Sequence, residues 1–242
     1  YLNGYNDPRL PVYFQPVTDG DNKGEYRGVA NGMPNPQQED YKAMSSPNVQ
    51  EKSTDSPLRW MMASEVAFLR AEGAMRGWTA EMGGTAEEFY NKGIELSFLE
   101  NGLSADAAAS YAADETSKPT DFTDVSAANT KYNISALGKI AIKWNSGASE
   151  EEQLERIITQ KWIAMFPNGT EAWSEFRRTG YPRLFPVRYN YPSSGVDTNK
   201  QIRRMVFPQS EYSNNGAAVQ EAVKLLGGPD NGGTKLWWDK KN

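Results

Sequence analysis

Cysteine and histidine are both absent from the 242-residue sequence. Without cysteine, the chain has no disulfide framework, thiol nucleophile or thiolate metal site. Without histidine, it has no Ser-His-Asp or Cys-His nucleophile and no histidine-ligated zinc. It also lacks the one side chain that ordinarily titrates near neutral pH. The sequence therefore predicts no catalytic residue, no metal site and no cofactor, and any catalysis would have to rest on carboxylates, lysine, tyrosine or a borrowed cofactor.

Long apolar runs are also missing. A membrane helix needs about 18 apolar residues without charge, and the most apolar segment, residues 60–75, is interrupted by Glu65, Arg70 and Glu72. The sequence therefore predicts a fold that does not cross a membrane. The charge is mildly acidic, with 26 basic and 31 acidic residues. Nucleic-acid binders normally present a basic face, so no nucleic-acid partner is expected.

A helical hairpin is predicted over residues 57–102. Ser56 is a suitable N-cap and Pro57 a suitable first helical residue, and apolar side chains then recur at helical spacing. After a glycine break, Thr85 and Glu88 have the spacing of a capping box, which starts the second helix. A short glycine-rich connection makes the two helices antiparallel neighbours.

A second helical hairpin is predicted over residues 149–181. Ser149 and Glu152 form another capping-box pattern, and a short partner helix follows Asn168 and ends at Gly180. Repeated helical hairpins indicate a superhelix of the tetratricopeptide type. The predicted fold class is therefore mainly α, with hairpins covered by a long irregular loop subdomain that contains few short strands.

The remaining segments are predicted to be largely irregular. They are the loop-rich residues 1–56, an irregular insertion at residues 103–148 and a C-terminal segment at residues 182–242. Within them, Leu10–Phe14 and the alternating Ile140–Trp144 are predicted as short strands, and Gly216–Leu226 as a short helix. All of these segments are assigned to one domain, residues 1–242.

Several stretches resemble the SusD/RagB family of outer-membrane nutrient-binding lipoproteins, and they occur in the order found in that family. They are residues 5–14 (YNDPRLPVYF), 64–78 (SEVAFLRAEGAMRGW), 90–97 (YNKGIELS), 154–164 (LERIITQKWIA), 173–182 (WSEFRRTGYP) and 204–211 (RMVFPQSE), followed by Trp237-Trp238-Asp239. No single stretch is decisive, but together they cover nearly the whole chain.

The resemblance implies a tetratricopeptide-like core and a role in capturing oligosaccharides, or sometimes peptides, without cleaving them. Members of the family lie at the cell surface, where an N-terminal lipid anchors them in the outer membrane. They cap a SusC-like TonB-dependent transporter, which is the partner implied here. The chain matches the C-terminal portion of such a domain, so the lipid-bearing cysteine and the first repeats are expected to lie outside it.

Candidate ligand-binding residues lie in and after the irregular N-terminal segment. Sugars are bound by flat apolar rings together with planar polar groups, and loops on a rigid scaffold commonly carry such residues. The residues predicted on this basis are Tyr26, Arg27, Asn31, Tyr41 and Trp60.

Other conspicuous residues are predicted to be structural. Phe68, Phe98, Trp162 and Trp173 lie in amphipathic helices, so core packing is expected for them. Residues 177–178 are an arginine pair that could bind an anion, but pairing with Glu171 or Glu175 at a helix end is favoured. Residues 19–22 carry part of a calcium-loop pattern without its final glutamate, and a turn is predicted.

Two other function classes stay open on the sequence. A helical-repeat module could bind a partner peptide along its concave face. A glycosidase would need two converging carboxylates, and no pair among the 31 acidic residues is singled out. Glycan binding is the preferred prediction, and protein interaction is its alternative.

Overall fold

The computed structural model describes residues 1–32, 38–42, 44–48, 60–191 and 194–241. Its helices in chain order are α1 (Leu10–Tyr13), α2 (Gln38–Tyr41), α3 (Ala63–Met75), α4 (Thr79–Met82), α5 (Ala86–Glu100), α6 (Ala105–Ala112), α7 (Glu150–Ala164), α8 (Gly169–Thr179) and α9 (Gln209–Leu225), with a 3₁₀ segment at Ala127–Tyr132. Two-residue strands β1 (Phe14–Gln15) and β2 (Ser46–Pro47) pair antiparallel. The predicted mainly α class is confirmed. None of the helices in these ranges is long and apolar enough to cross a membrane.

The first predicted hairpin is formed by α3 and α5. The capping box is present, with the Glu88 amide donating to Thr85 Oγ1 at 3.2 Å and the Thr85 amide donating to the Glu88 carboxylate at 2.8 Å. The two helices approach closely at Gly93, where an added Cβ would lie 2.7 Å from the Phe68 ring. The short helix α4, in the connection, was not predicted.

The start of this hairpin differs from the prediction. Ser56 and Pro57 lie outside the described residues, but Trp60–Met62 are not helical and α3 begins at Ala63. The first turn is held instead by Glu100 of α5, whose carboxylate accepts from the backbone nitrogen and hydroxyl of Ser64 at 3.0 and 2.6 Å. The sequence pattern cannot show this contact because the two residues are 36 positions apart.

The second predicted hairpin is formed by α7 and α8. The Ser149–Glu152 capping box is present, Asn168 caps α8, and α8 ends at Gly180 with a positive φ of 78°. α7 also packs against α3. The shared core of both hairpins is continuous with the N-terminal segment through buried Tyr5 and Tyr13.

The strand predicted at Leu10–Phe14 is wrong for its first four residues. Leu10–Tyr13 forms one helical turn with Pro11 in its first positions, which proline tolerates because its missing N–H has no helical partner there. The turn is initiated by Asp7, whose carboxylate accepts from the Arg9 amide at 2.9 Å. Strand pairing begins only at Phe14.

Ile140–Trp144 is not a strand either. Its alternation instead reflects burial, since Ile140, Ile142 and Trp144 are buried while Lys143 is exposed. The Ile140 and Ile142 carbonyls accept from tyrosine hydroxyls, those of Tyr5 and Tyr90, instead of from a neighbouring strand. The alternating pattern therefore marks a buried irregular segment whose carbonyls bond tyrosine hydroxyls.

The last helix is longer than predicted. It begins at Gln209, directly after Pro208, and not at Gly216, and it contains a non-helical residue at Asn215. Residues 209–215 are all exposed, so they carry no apolar periodicity that could reveal the earlier start.

Glu72 joins the two hairpins through a cluster of charged side chains. Its carboxylate accepts from Arg178 of α8 at 2.7 and 2.6 Å and from Arg76 of α3 at 2.9 and 2.8 Å. Burial alone would raise the pKa of Glu72, but the hydrogen bonds and charges of both arginines outweigh it and hold the pKa below its ordinary value of 4.5. Folding therefore favours the ionised carboxylate.

Glu72→Gln should lower the free energy of unfolding and make that free energy depend less on pH in the acid range. The contribution of Glu72 is complete above the ordinary pKa of 4.5 and is lost as the pH falls through the lower folded-state value. At pH 7, we expect the variant to lose about 1.5–3 kcal/mol, the usual effect of charged hydrogen bonds. The measurement is the free energy of unfolding in urea between pH 3 and 7.

Glu95→Gln is the matched control for this measurement. Glu95 forms an exposed ion pair with Lys92 at 2.7 Å, and such pairs contribute only about 0.5 kcal/mol. If the free energy of unfolding of Glu72→Gln fell with acid as steeply as that of the unaltered chain, the role given to Glu72 would be contradicted.

Candidate ligand-binding cavities

A large cavity of about 690 Å³ opens between the second hairpin, the N-terminal segment and two irregular segments. Its walls are mostly aromatic and aliphatic. It is lined by Tyr1, Leu2, Asn3, Leu10, Tyr13, Phe14, Tyr26, Arg27, Gly28, Ser45, Thr120, Asp121, Phe122, Trp162, Ile163, Phe166, Pro167, Asn168, Gly169, Ala172, Trp173, Phe176, Leu184, Phe185 and Gln201. This volume suits a small-molecule or oligosaccharide ligand.

Tryptophans of the second hairpin supply one wall of this cavity. Trp162 of α7 lies against the ring of Tyr1, with 5.8 Å between ring centroids, and Trp173 of α8 donates its indole N–H to the Ile202 carbonyl at 2.8 Å. Both are only partly buried. The predicted core packing is confirmed for the fully buried Phe68 and Phe98 and for Trp162, which packs against the core while it also lines the cavity. Trp173 does not belong to this core, and the prediction is wrong for it.

The sequence pattern does not reveal that Trp162 and Trp173 line a cavity, and the reason is physical. Helical periodicity identifies the apolar side of a helix but does not show what covers it. Here Trp162 of α7 and Phe14 line the same cavity, while Phe166, two residues after α7, packs against the Phe14 ring with 5.0 Å between ring centroids. The one signal in the sequence for this cavity is that both helices of the second hairpin carry a tryptophan.

A smaller, more polar cavity of about 350 Å³ lies beside the first. It is lined by Asn3, Glu25, Tyr26, Arg27, Gly28, Thr120, Asp121, Phe122 and Thr123. Residues 26–28 line both cavities, as do Asn3 and residues 120–122, so this wall is shared by an aromatic space and a polar one.

This shared wall is fixed by hydrogen bonds. The side-chain amide of Asn3 donates to the Tyr26 carbonyl at 2.9 Å. The backbone N–H of Arg27 donates to Ser45 Oγ at 3.0 Å, and the backbone N–H of Ser45 donates to the Arg27 carbonyl at 3.1 Å. The Arg27 guanidinium pairs with Glu25 at 2.7 Å.

Burial raises the pKa of the Tyr1 phenol, with Glu155 adding to the shift. The hydroxyl of Tyr1 is therefore an uncharged group at neutral pH.

The predicted ligand-binding residues are only partly brought together. Tyr26 and Arg27 line both cavities, whereas Asn31, Tyr41 and Trp60 line neither. The Tyr41 hydroxyl instead donates to the Asp124 carboxylate at 3.1 and 3.2 Å, and Trp60 is 89% exposed. Whether any of these residues contacts a ligand stays a prediction.

The arginine pair is structural, as predicted. Arg178 binds Glu175 at 2.7 Å as well as Glu72, and Arg177 stacks on Trp173 with 3.6 Å to the ring centroid. The segment at residues 19–22 forms the predicted turn. Within the described ranges, no group of three or more acidic side chains is placed to hold a metal ion.

The two cavities together offer the groups that an amphipathic ligand needs. The aromatic walls offer flat apolar faces, while the polar cavity offers a guanidinium, amides, hydroxyls and carboxylates. Arg27 pairs with Glu25 at 2.7 Å, and the carboxylate of Asp121, which also lines both cavities, accepts from the Ala136 amide at 2.8 Å. Pyranose rings have this mixture of apolar C–H faces and hydroxyl edges.

Comparisons with known proteins bear on this arrangement. Residues 1–239 match the family model described as "SusD-like: Susd and RagB outer membrane lipoprotein". A chitin-binding SusD homologue from Flavobacterium johnsoniae shares 42% identity with a TM-score of 0.90, and a SusD-like protein from Bacteroides thetaiotaomicron shares 45% with a TM-score of 0.90. Each match covers 100% of this chain and 48% or 49% of the other chain, respectively. The chain thus spans about half the length of these solved structures. No curated protein matches it.

Proposed function

The chain belongs to the SusD-like family of outer membrane lipoproteins, and from this premise we propose that it binds oligosaccharides without cleaving them. The observation that carries the proposal is the fixed wall at residues 26–28, which lines both an aromatic cavity and a polar one. An oligosaccharide lying across this wall would place sugar faces against aromatic rings and hydroxyls against amides and the Arg27 guanidinium. The chitin-binding relative at 42% identity supports the same ligand class.

The finer role follows from the family. We propose that the intact protein lies at the cell surface, anchored in the outer membrane by an N-terminal lipid, and hands its glycan to a SusC-like TonB-dependent transporter for import. The chain would be the C-terminal portion of that protein. Co-purification of the full-length protein with such a transporter from detergent-solubilised outer membranes tests this partner, and its recovery without any transporter would oppose it.

Protein interaction remains the second candidate, and one observation favours it. Val66 and Leu69 of α3 and Leu99 of α5 are apolar but 40–47% exposed on the surface of the first hairpin. Exposed apolar side chains on neighbouring helices are a common contact surface for another helix. This surface would serve assembly, and it lies apart from the cavities.

Calorimetry with a glycan panel tests the proposed function. We expect millimolar to micromolar binding of at least one series among chito-, malto-, xylo- and manno-oligosaccharides, with chito-oligosaccharides tested first because of the chitin-binding relative. Incubation of the same glycans should release no shorter product. Silence toward every glycan would reject glycan binding, and accumulation of products would indicate a glycosidase.

A further inference from the structure

Two exposed tyrosines form a paired surface outside both cavities. Tyr189 and Tyr191 are 44% and 73% exposed, and their rings meet edge to face with 5.5 Å between centroids and 79° between planes. Neither hydroxyl hydrogen-bonds to a residue in the described parts of the chain. The pair therefore presents ring faces and two free hydroxyls to solvent.

The loop carrying this tyrosine pair is anchored on both sides. The Arg188 guanidinium donates to the Tyr132 carbonyl at 3.1 and 2.7 Å. The Asn190 side-chain amide donates to the Val196 carbonyl at 3.3 Å. The tyrosines thus project from a backbone that is already fixed.

Asn31 lies next to the tyrosine pair. Its carbonyl accepts from the Arg188 amide at 3.1 Å, and its exposed side chain makes no hydrogen bond within the described residues. The approach depends on Gly32, which has a φ of 76° and where a Cβ would lie only 2.9 Å from the Tyr189 carbonyl oxygen. The backbones of Asn31 and Tyr189 therefore lie close together, and both side chains are exposed and make no hydrogen bond within the described residues.

The tyrosine pair is within reach of the cavities. Gly28 lines both of them, and Asn31 follows three residues later. Three extended residues span at most about 11 Å, so Asn31 lies near the rim of the shared wall.

We propose that Tyr189, Tyr191 and the Asn31 amide form a second contact surface for the same glycan, so that the protein selects long oligosaccharides over short ones. This inference rests on the proposed function. The ring faces suit pyranose C–H surfaces, and the phenols and amide suit hydroxyls. A disaccharide occupies the cavities alone, whereas a longer chain also contacts the tyrosine pair.

Calorimetry with di- and hexasaccharides of the chito and malto series tests this inference. The double variant Tyr189→Ala/Tyr191→Ala should weaken hexasaccharide binding at least about tenfold, which corresponds to about 1.4 kcal/mol. Binding of the disaccharide should stay as in the unaltered protein. The variant Tyr189→Phe/Tyr191→Phe, which keeps the rings, should retain most of the hexasaccharide affinity.

Trp237→Ala is the control, because Trp237 is 83% exposed and lines neither cavity. Hexasaccharide affinity that is unchanged in the double alanine variant would overturn the second surface alone. So would an equal loss for both ligand lengths, or the same loss in Trp237→Ala. Silence of the unaltered protein toward both series would overturn it together with glycan binding by these sugars.

Discussion

Replacing Arg9 by methionine is expected to lower the free energy of unfolding by about 3–5 kcal/mol, the usual cost of leaving a buried charge without its partner. Arg9 and Asp7 are both 0% exposed, and their charged atoms are 2.6 Å apart. Arg9 also donates to Ser97 at 2.9 Å and to Gln160 at 3.0 Å. Methionine fills most of the volume but leaves the Asp7 carboxylate with no cation. Urea unfolding at pH 7 measures the loss.

A second substitution distinguishes a buried charge from a simple packing defect. Adding Asp7→Asn to Arg9→Met removes the isolated carboxylate, so the double variant should be more stable than the single one. Lys92→Met is the control, since its ion pair with Glu95 is exposed and should contribute about 0.5 kcal/mol. A single variant within about 1 kcal/mol of the unaltered chain would oppose this account of the network.

Replacing Trp162 by alanine is expected to weaken oligosaccharide binding at least about tenfold, or about 1.4 kcal/mol. Trp162 stands on the rigid helix α7, lines the larger cavity and is held in place by the Tyr1 ring. Such fixed aromatic anchors dominate many binding sites. Trp162→Phe retains a flat ring and should lie between the two. Calorimetry with the glycan that binds the unaltered protein provides the measurement.

Trp78→Ala is the matched control for the cavity. Trp78 lies in the connection between α3 and α5, is 56% exposed and lines neither cavity. It should leave glycan affinity unchanged. Full affinity in a folded Trp162→Ala variant would remove the larger cavity from the proposed site.

Most of the scaffold could be predicted because helix ends are encoded locally. Thr85 with Glu88 and Ser149 with Glu152 satisfy helix-end amides within a single turn, so their spacing is visible in the sequence. The predicted strands failed for two different reasons. Leu10–Tyr13 forms a helical turn because a local partner, the Asp7 carboxylate, accepts from the Arg9 amide. Ile140–Trp144 instead bonds tyrosine hydroxyls that are distant in the sequence, and it has no neighbouring strand among the described residues.

The candidate site was less accessible from the sequence. Tyr26 and Arg27 were predicted because aromatic and planar polar residues in a glycine-rich loop suggest ligand contact, and the structure places them at the cavities. Trp162 and Trp173 have the periodicity of core residues, and only the arrangement of distant segments leaves them facing an open space. The placement of Tyr189 near Asn31 likewise depends on a contact between residues more than 150 positions apart.

The hydrogen bonds that fix residues 26–28 have a consequence for recognition. Asn3 and Ser45 hold this wall in one conformation, although it has no helix or strand of its own. Its conformational entropy is lost during folding and not when the ligand arrives. Preorganisation of this kind lets a shallow surface bind a flexible sugar chain with a smaller entropic penalty.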